Sequence, residues 1–167
     1  MDKFKKRFKF FEISFLLITV FINNTGCASI ATTHSRFEKD HLLALFVGGT
    51  GVESNNYFTY GVEYHKALTF PFGYSITLED TLNNKVHHHE IEVIGLMSFS
   101  CLKHITFGIG PGLKFEKGES DKLLGRVAFN YIFKLKPTIE ITPTITYNIV
   151  QRSPNEIVYG AKFGKQF

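Results

Sequence analysis

Nine charged residues occupy the polar positions of alternating segments and pose the chemical question of this 167-residue chain. Glu90, Glu92, Glu156, Lys114 and Arg126 fall toward one end of those segments, and Glu63, Glu140, Lys134 and Lys162 toward the other. Both signs occur at each level, so the charges can pair, and one left unpaired away from water would be costly. Such residues support two chemistries: an interior salt-bridge network that acts as a plug, or a selectivity lining for a water-filled path. Histidines enlarge the inventory. His87, His88 and His89 are adjacent, and neighbours on a strand point to alternate faces, so only His87 and His89 could share a metal. A solvated polar loop is the simpler reading. His65 and His104 belong to the second level, as hydrogen-bonding partners of Glu63. Acyl-transfer catalysis needs a Ser, a His within hydrogen-bond reach and an orienting carboxylate. Ser98, Ser100 and Glu63 could approach His104 from neighbouring strands, but the residue two beyond His104 is Thr106. His34-Ser35-Arg36 has suitable residue types, yet it precedes the first strand and nothing fixes its geometry. No catalytic, cofactor-binding or metal-binding residue is assigned.

These side chains must be positioned by strands, because alternation of period two recurs in segments of about 9–13 residues, the length that crosses a bilayer at a tilt. Eight segments are expected: 41–50, 56–66, 71–80, 88–101, 103–116, 121–135, 137–151 and 155–167. The seventh is the clearest. Ile139, Ile141, Pro143, Ile145, Tyr147 and Ile149 alternate with Thr138, Glu140, Thr142, Thr144, Thr146 and Asn148, a segregation that no helix could produce. The first is the least regular, since Leu42 to Val47 is apolar on both faces. Connections after the second, fourth and sixth segments are tight, whereas Thr81 to His87 is longer and polar. Lys117-Gly118-Glu119-Ser120 and Arg152-Ser153-Pro154 carry turn chemistry. Pro111 and Pro143 each remove a ladder donor from a paired strand, and a bulge at each is the expected repair.

Residues 1–31 stand apart as a cleavable secretory signal. Lys3, Lys5, Lys6, Arg7 and Lys9 form its positive region, and the apolar run from Phe10 to Ile22 is too short for a spanning helix, which needs roughly 20 residues. Ser29-Ile30-Ala31 offers cleavage after Ala31. Thr25-Gly26-Cys27 is the rival site, with Cys27 as an acylated first residue. Five basic residues against Asp2 and Glu12 give this segment +3 of the chain's net +4, so the mature part carries +1 and its charge does not argue for nucleic acid. Cys101 is then the one cysteine beyond the signal region, which excludes an intramolecular disulfide framework. Residues 32–40 form a leader, and 41–167 a single all-β domain.

Alternation does not say which face is inside, and a soluble sandwich or lipocalin-like barrel has the same period with the apolar face inward. The polar face is rich in Thr, Gly, Ser and Asn with charges of both signs, small enough to share the narrow interior of an eight-stranded barrel. That favours an antiparallel up-and-down barrel with its apolar face in lipid. Eight strands leave little room for a water-filled pore, which favours the plug over the lining.

From Glu90 onward the chain resembles the small eight-stranded bacterial outer-membrane β-barrel proteins, the class of OmpA- and OmpX-type barrels, and more loosely their porin-like members. The residues that carry the likeness are the alternating strands, Gly108-Ile109-Gly110-Pro111-Gly112, and the closing Tyr159-Gly160-Ala161-Lys162-Phe163-Gly164-Lys165-Gln166-Phe167. The resemblance implies a transmembrane barrel in the outer membrane of a Gram-negative envelope, with lipopolysaccharide as its bilayer neighbour. It further implies that Phe167, Phe163, Ala161 and Tyr159 are read by the barrel-assembly machinery; Lys165 departs from that pattern at a usually apolar position. The leading expectation is a non-enzymatic structural or surface-interaction role, with an unknown extracellular partner at the loops. A narrow channel or hydrophobic-ligand conduit is the alternative. Lipid A acyl hydrolases or acyltransferases also use eight strands, but the His-x-Ser strand of the deacylases is absent here. No cofactor and no nucleic acid are expected.

Overall fold

The computed structural model describes residues 41–83, 88–102, 104–116, 118 and 120–167. The expected signal and leader, Cys27, His34-Ser35-Arg36 and His87 lie outside the described residues. The strands are β1 (His41–Val52), β2 (Asn55–Ala67), β3 (Phe72–Asn83), β4 (His88–Leu102), β5 (Ile105–Glu116), β6 (Lys122–Tyr131), β7 (Phe133–Lys136), β8 (Ile139–Val150) and β9 (Glu156–Gln166). Sequential neighbours pair antiparallel from β1 to β6, and β9 pairs both β8 and β1. Because β6 and β7 both pair β8, they act as two pieces of one stave, and the result is a closed antiparallel barrel of eight staves.

The expected segments recur with no end moved by more than three residues, apart from 121–135, which is interrupted at Ile132. The cause lies on the facing strand. The ladder to β8 stops at Asn130↔Thr144 and resumes at Phe133↔Ile141, so the gap falls opposite Thr142 and Pro143, and Pro143 has no N–H to donate. Ile132 turns its own N–H to the His104 carbonyl at 2.7 Å. The bulges expected at the two prolines are absent. Pro143 keeps continuous register with Ala161, and Pro111 with Gly125. On its other side Pro111 leaves a lapse between Ile94↔Gly112 and Met97↔Ile109 without any slip of register. Close approach replaces the missing bond there: a Cβ on Gly110 would collide with the Gly95 carbonyl, so only glycine fits. The β4–β5 pair shifts instead between Ser100 and Leu102, at Cys101.

The pleat sends apolar side chains outward. Leu45 is 59% exposed, Ile109 58% and Ile145 52%, and their outward neighbours form a continuous apolar belt around the barrel. Monomeric soluble proteins rarely expose an apolar area of this kind. This removes the lipocalin-like alternative, in which those residues would be the core. β1 also resolves: Leu43, Leu45 and Val47 face outward, while Ala44 and Phe46 are buried inside. Phe46 lies across Gly48 and Gly160, the pair at the closing β1–β9 seam, where a side chain would meet both the ring and the opposite backbone.

The interior is less uniformly polar than the alternation implies. Ile94, Leu96, Leu124, Ala128 and Val150 form a buried apolar cluster, and Phe46 and Val158 are buried as well. Along three strands these residues separate polar stretches: Ile94 and Leu96 lie between Glu92 and Ser98, Ala128 between Arg126 and Asn130, and Val158 between Glu156 and Lys162. On these strands a loop end is set apart from a terminus end, the latter carrying Gln166, while Ser75, Thr77, Glu79 and Thr81 on β3 and Thr142, Thr144, Thr146 and Asn148 on β8 stay polar throughout.

Candidate functional site in the lumen

At the loop end the chain builds a dry charged cluster around Arg126, a residue 2% exposed. Its guanidinium meets Glu79 as a fork, Nη1 to Oε1 at 2.8 Å and Nη2 to Oε2 at 2.7 Å. Nη2 also reaches Glu92 at 2.9 Å, and Nε donates to Asn148 Oδ1 at 2.7 Å. The Asn148 amide passes the network on, donating to Glu92 and Glu156 at 3.2 Å each. Lys114 contacts Glu156 at 2.5 Å, Glu90 at 2.6 Å and Glu92 at 3.6 Å. All five residues assigned to this level from sequence are therefore brought together. Glu79 and Asn148 are the members that sequence reasoning missed. The signal was present: Ser75, Thr77, Glu79 and Thr81 are one alternating row, all buried, and the acid pair Glu79-Asp80 hid which carboxylate belonged to it. A hydroxyl chain adjoins the cluster, Thr50 to Thr59 at 2.6 Å and Thr59 to Thr81 at 3.0 Å.

The terminus end is sparser. Lys162 Nζ lies 2.6 Å from Glu63 Oε2 and 3.4 Å from Asn130 Oδ1, and Thr77 donates to Glu63 at 3.2 Å. Glu140 accepts from Gln166 at 3.0 Å and from Thr142 at 3.5 Å. Lys134 stands opposite Glu140 in the β7–β8 ladder, yet it is exposed at the rim and not buried in the lumen, because β7 lies beyond the break at Ile132. Beside the Lys162–Glu63 pair is a cavity of about 50 Å³ whose lining includes His65, Ser98, Ser100, Thr106, Asn130 and Thr142. At roughly 10–15 Å³ of such space per water, it has room for a few waters.

One histidine expectation changes. His104 does not face Glu63; it is exposed in the β4–β5 turn, with Nδ1 3.1 Å from the Ile132 carbonyl and its ring stacked on Tyr131. His65 does line the lumen, packed with Ser98 against Gly73, where a Cβ would sit 2.8 Å from Ser98 Oγ and 2.9 Å from the His65 ring. His89 stays exposed to solvent at the loop end. It is part of β4, with Nδ1 3.0 Å from Asp80, whose carboxylate also accepts the Tyr60 hydroxyl at 2.7 Å. Among the described residues no group of three or more His, Cys, Asp or Glu forms a metal site.

On the outer wall Tyr159, Phe163 and Phe167 are exposed and Ala161 is half-buried in the same row. Phe167 donates its N–H to the His41 carbonyl at 3.0 Å, and its ring stacks on His41 at 5.7 Å. His41 Nδ1 lies 2.6 Å from the Tyr64 hydroxyl.

Solved structures share this architecture. Neisserial surface protein A superposes with a TM-score of 0.55 at 11% identity, over 76% of this chain and 96% of that one. The N-terminal β-barrel domain of Pseudomonas aeruginosa OprF gives 0.56 at 8%, over 78% and 100%. Ail, the attachment invasion locus protein of Yersinia pestis, gives 0.53 at 12%, again over 78% and 100%. The fold is an eight-stranded transmembrane β-barrel. No protein-family model and no curated protein matches the chain, and identities this low extend to the fold alone. In this transmembrane barrel the charged lumen and the apolar belt have the places that the bilayer demands, with backbone bonds satisfied between strands and no free edge.

Proposed function

We propose that the chain is a non-enzymatic barrel of the bacterial outer membrane with a structural or surface-interaction role and a sealed lumen. The observation that carries this reading is the Arg126 cluster, where seven side chains interlock across the loop end. The apolar residues beyond it confine the polar path along the lumen to the hydroxyl rows of β3 and β8. The hydroxyl-lined cavity at the terminus end favours the second reading, a narrow channel, but it stops short of the cluster. No acyl-transfer site is proposed, since Glu63, the carboxylate nearest His65 on β2, is engaged by Lys162 and Thr77. Lipopolysaccharide is the outer-leaflet neighbour, and an extracellular partner would meet short connections such as Glu53-Ser54 and 151–155. The test is single-channel recording in planar bilayers. A sealed barrel gives no stable conductance; large, ion-selective steps that respond to Glu140→Ala without loss of stability would replace this reading with the channel.

We also infer that the outward row Tyr159, Ala161, Phe163 and Phe167 addresses the barrel-assembly machinery by strand addition. Deleting Phe167 should lower outer-membrane yield and raise degradation in the periplasm, and undiminished assembly of the truncated chain would count against it.

A further inference from the structure

Outward charge is unevenly divided between the two rims. At the terminus end, Lys66 extends the outward row Tyr60, Val62, Tyr64 on β2, and Lys165 continues the row Ala161, Phe163 on β9. Lys136 on β7 is registered against outward-facing Ile139. One strand separates each lysine from the next, β1 between β2 and β9 and β8 between β9 and β7. Their backbones therefore stand about 10 Å apart around the wall, at roughly 4.8 Å per strand. Among the described residues none of the three has an ion-pair partner. The acids at this end among the described residues, Glu63 and Glu140, are buried in the lumen. The opposite rim holds, among the described residues, Glu53, Asp80, Glu116 and Asp121, with Lys122 and Arg152. Among the described residues the rest of the terminus-end rim presents Phe70, Phe72, Leu102 and His104, so these three lysines form an arc centred on the β1–β9 seam.

Depth decides what this arc can meet. Lys66 follows Tyr64, Lys165 sits between Phe163 and Phe167, and Lys136 follows Leu135, so all three lie at the margin of the apolar belt, where aromatic residues mark the bilayer interface. A lysine there lays its stem along apolar surface and lifts its ammonium to the headgroups. Lys134, on the lumen side of β7, is by contrast placed for water. We propose that Lys66, Lys165 and Lys136 form a docking surface for the phosphate headgroups of anionic phospholipids in the leaflet that meets the terminus-end rim. This rests on the membrane-spanning fold. It gives Lys165, an interruption in an otherwise apolar closing row, a task of its own.

The test refolds the mature barrel into vesicles of phosphatidylcholine alone and of phosphatidylcholine with one quarter phosphatidylglycerol, and counts lipids retained on the extracted protein by native mass spectrometry. Heat-modifiability on a gel reports insertion in both vesicles, so a failure of the spanning fold is seen separately from a failure of lipid selection. The wild-type barrel should retain phosphatidylglycerol several-fold above its bulk share. That enrichment should fall toward unity at about 1 M salt, where the screening length is roughly 3 Å, and in the K66Q/K136Q/K165Q variant. If the triple variant does not insert, K66Q and K165Q singly should each remove part of the enrichment. No enrichment by wild type, equal enrichment by inserted variants, loss with K134Q alone, or binding of soluble polyglutamate through the same lysines without lipid preference would each overturn the proposal.

Discussion

The two ends of the lumen use the same chemistry, a buried cation held by carboxylates, in different surroundings. At the loop end Arg126 and Lys114 share Glu79, Glu90, Glu92 and Glu156, and Asn148 ties the groups together. At the terminus end Lys162 depends chiefly on one carboxylate, Glu63, and a cavity lies beside the pair. The difference teaches that burial of an ion pair is not a single quantity. In the first case each group is fixed by several partners; in the second a cavity lies where water can replace a departing partner. Geometry contributes too, because a guanidinium fork satisfies both oxygens of Glu79 in one plane, whereas an ammonium on a flexible stem acts as a point charge.

The largest expected effect follows from breaking the denser end. Arg126→Met should strand Glu79, leave Glu92 with only the more distant Lys114, and lower stability by about 3–5 kcal/mol, the usual result of removing one partner from a buried pair. Urea unfolding of the barrel in lipid vesicles measures it. Adding Glu79→Gln should recover part of the loss, since the two residues share an interaction and their effects cannot be additive. A loss below about 1 kcal/mol would mean that this end is as wet as the other, and the contrast would collapse.

A smaller loss is expected at the sparser end. Lys162→Met leaves Glu63 with the Thr77 hydroxyl and access to the cavity, so the penalty should be about 1–3 kcal/mol, the range for a group that loses its partner but keeps some solvation. Sequence reasoning set Lys134 and Lys162 jointly against Glu63 and Glu140. In the folded barrel Lys162 meets Glu63, so the informative exchange is Glu63→Lys with Lys162→Glu, which should restore part of what either single change removes. An equal cost for Lys162→Met and Arg126→Met would show that the cavity offers the charge no relief.

The contrast between the ends was only partly legible in the sequence. A period of two is a local property, so Ile139 to Val150 announced both its strand and the face that meets lipid. Which luminal residues touch depends on strand tilt and register across the barrel, and no local pattern encodes that. Glu79 and Arg126 are far apart in the chain and meet only because the barrel closes. Lys134 shows the same limit: it stands opposite Glu140 as the alternation implies, but it lies so near the end of its stave that it is exposed at the rim. The apolar layer was also missed, because Ile94 and Leu96 sit on the face whose other members, Glu90, Glu92, Ser98 and Ser100, are polar.

The smallest effects sharpen the comparison most, because hydroxyls report hydration without the disturbance of a lost charge. At the loop end Thr59 is fully buried and bonded to both Thr50 and Thr81. Thr59→Val keeps its shape but removes the central link of that chain, and should cost about 1–2 kcal/mol where water cannot enter to replace it. At the terminus end Ser100 lines the cavity. Ser100→Ala there removes a hydroxyl whose neighbours can turn to water, and its unfolding midpoint in vesicles should move by no more than about 0.5 kcal/mol in stability. Equal shifts for the two variants would mean that the cavity is dry and that the ends differ only in their number of charges. A larger shift for Ser100→Ala would reverse the assignment of wet and dry halves.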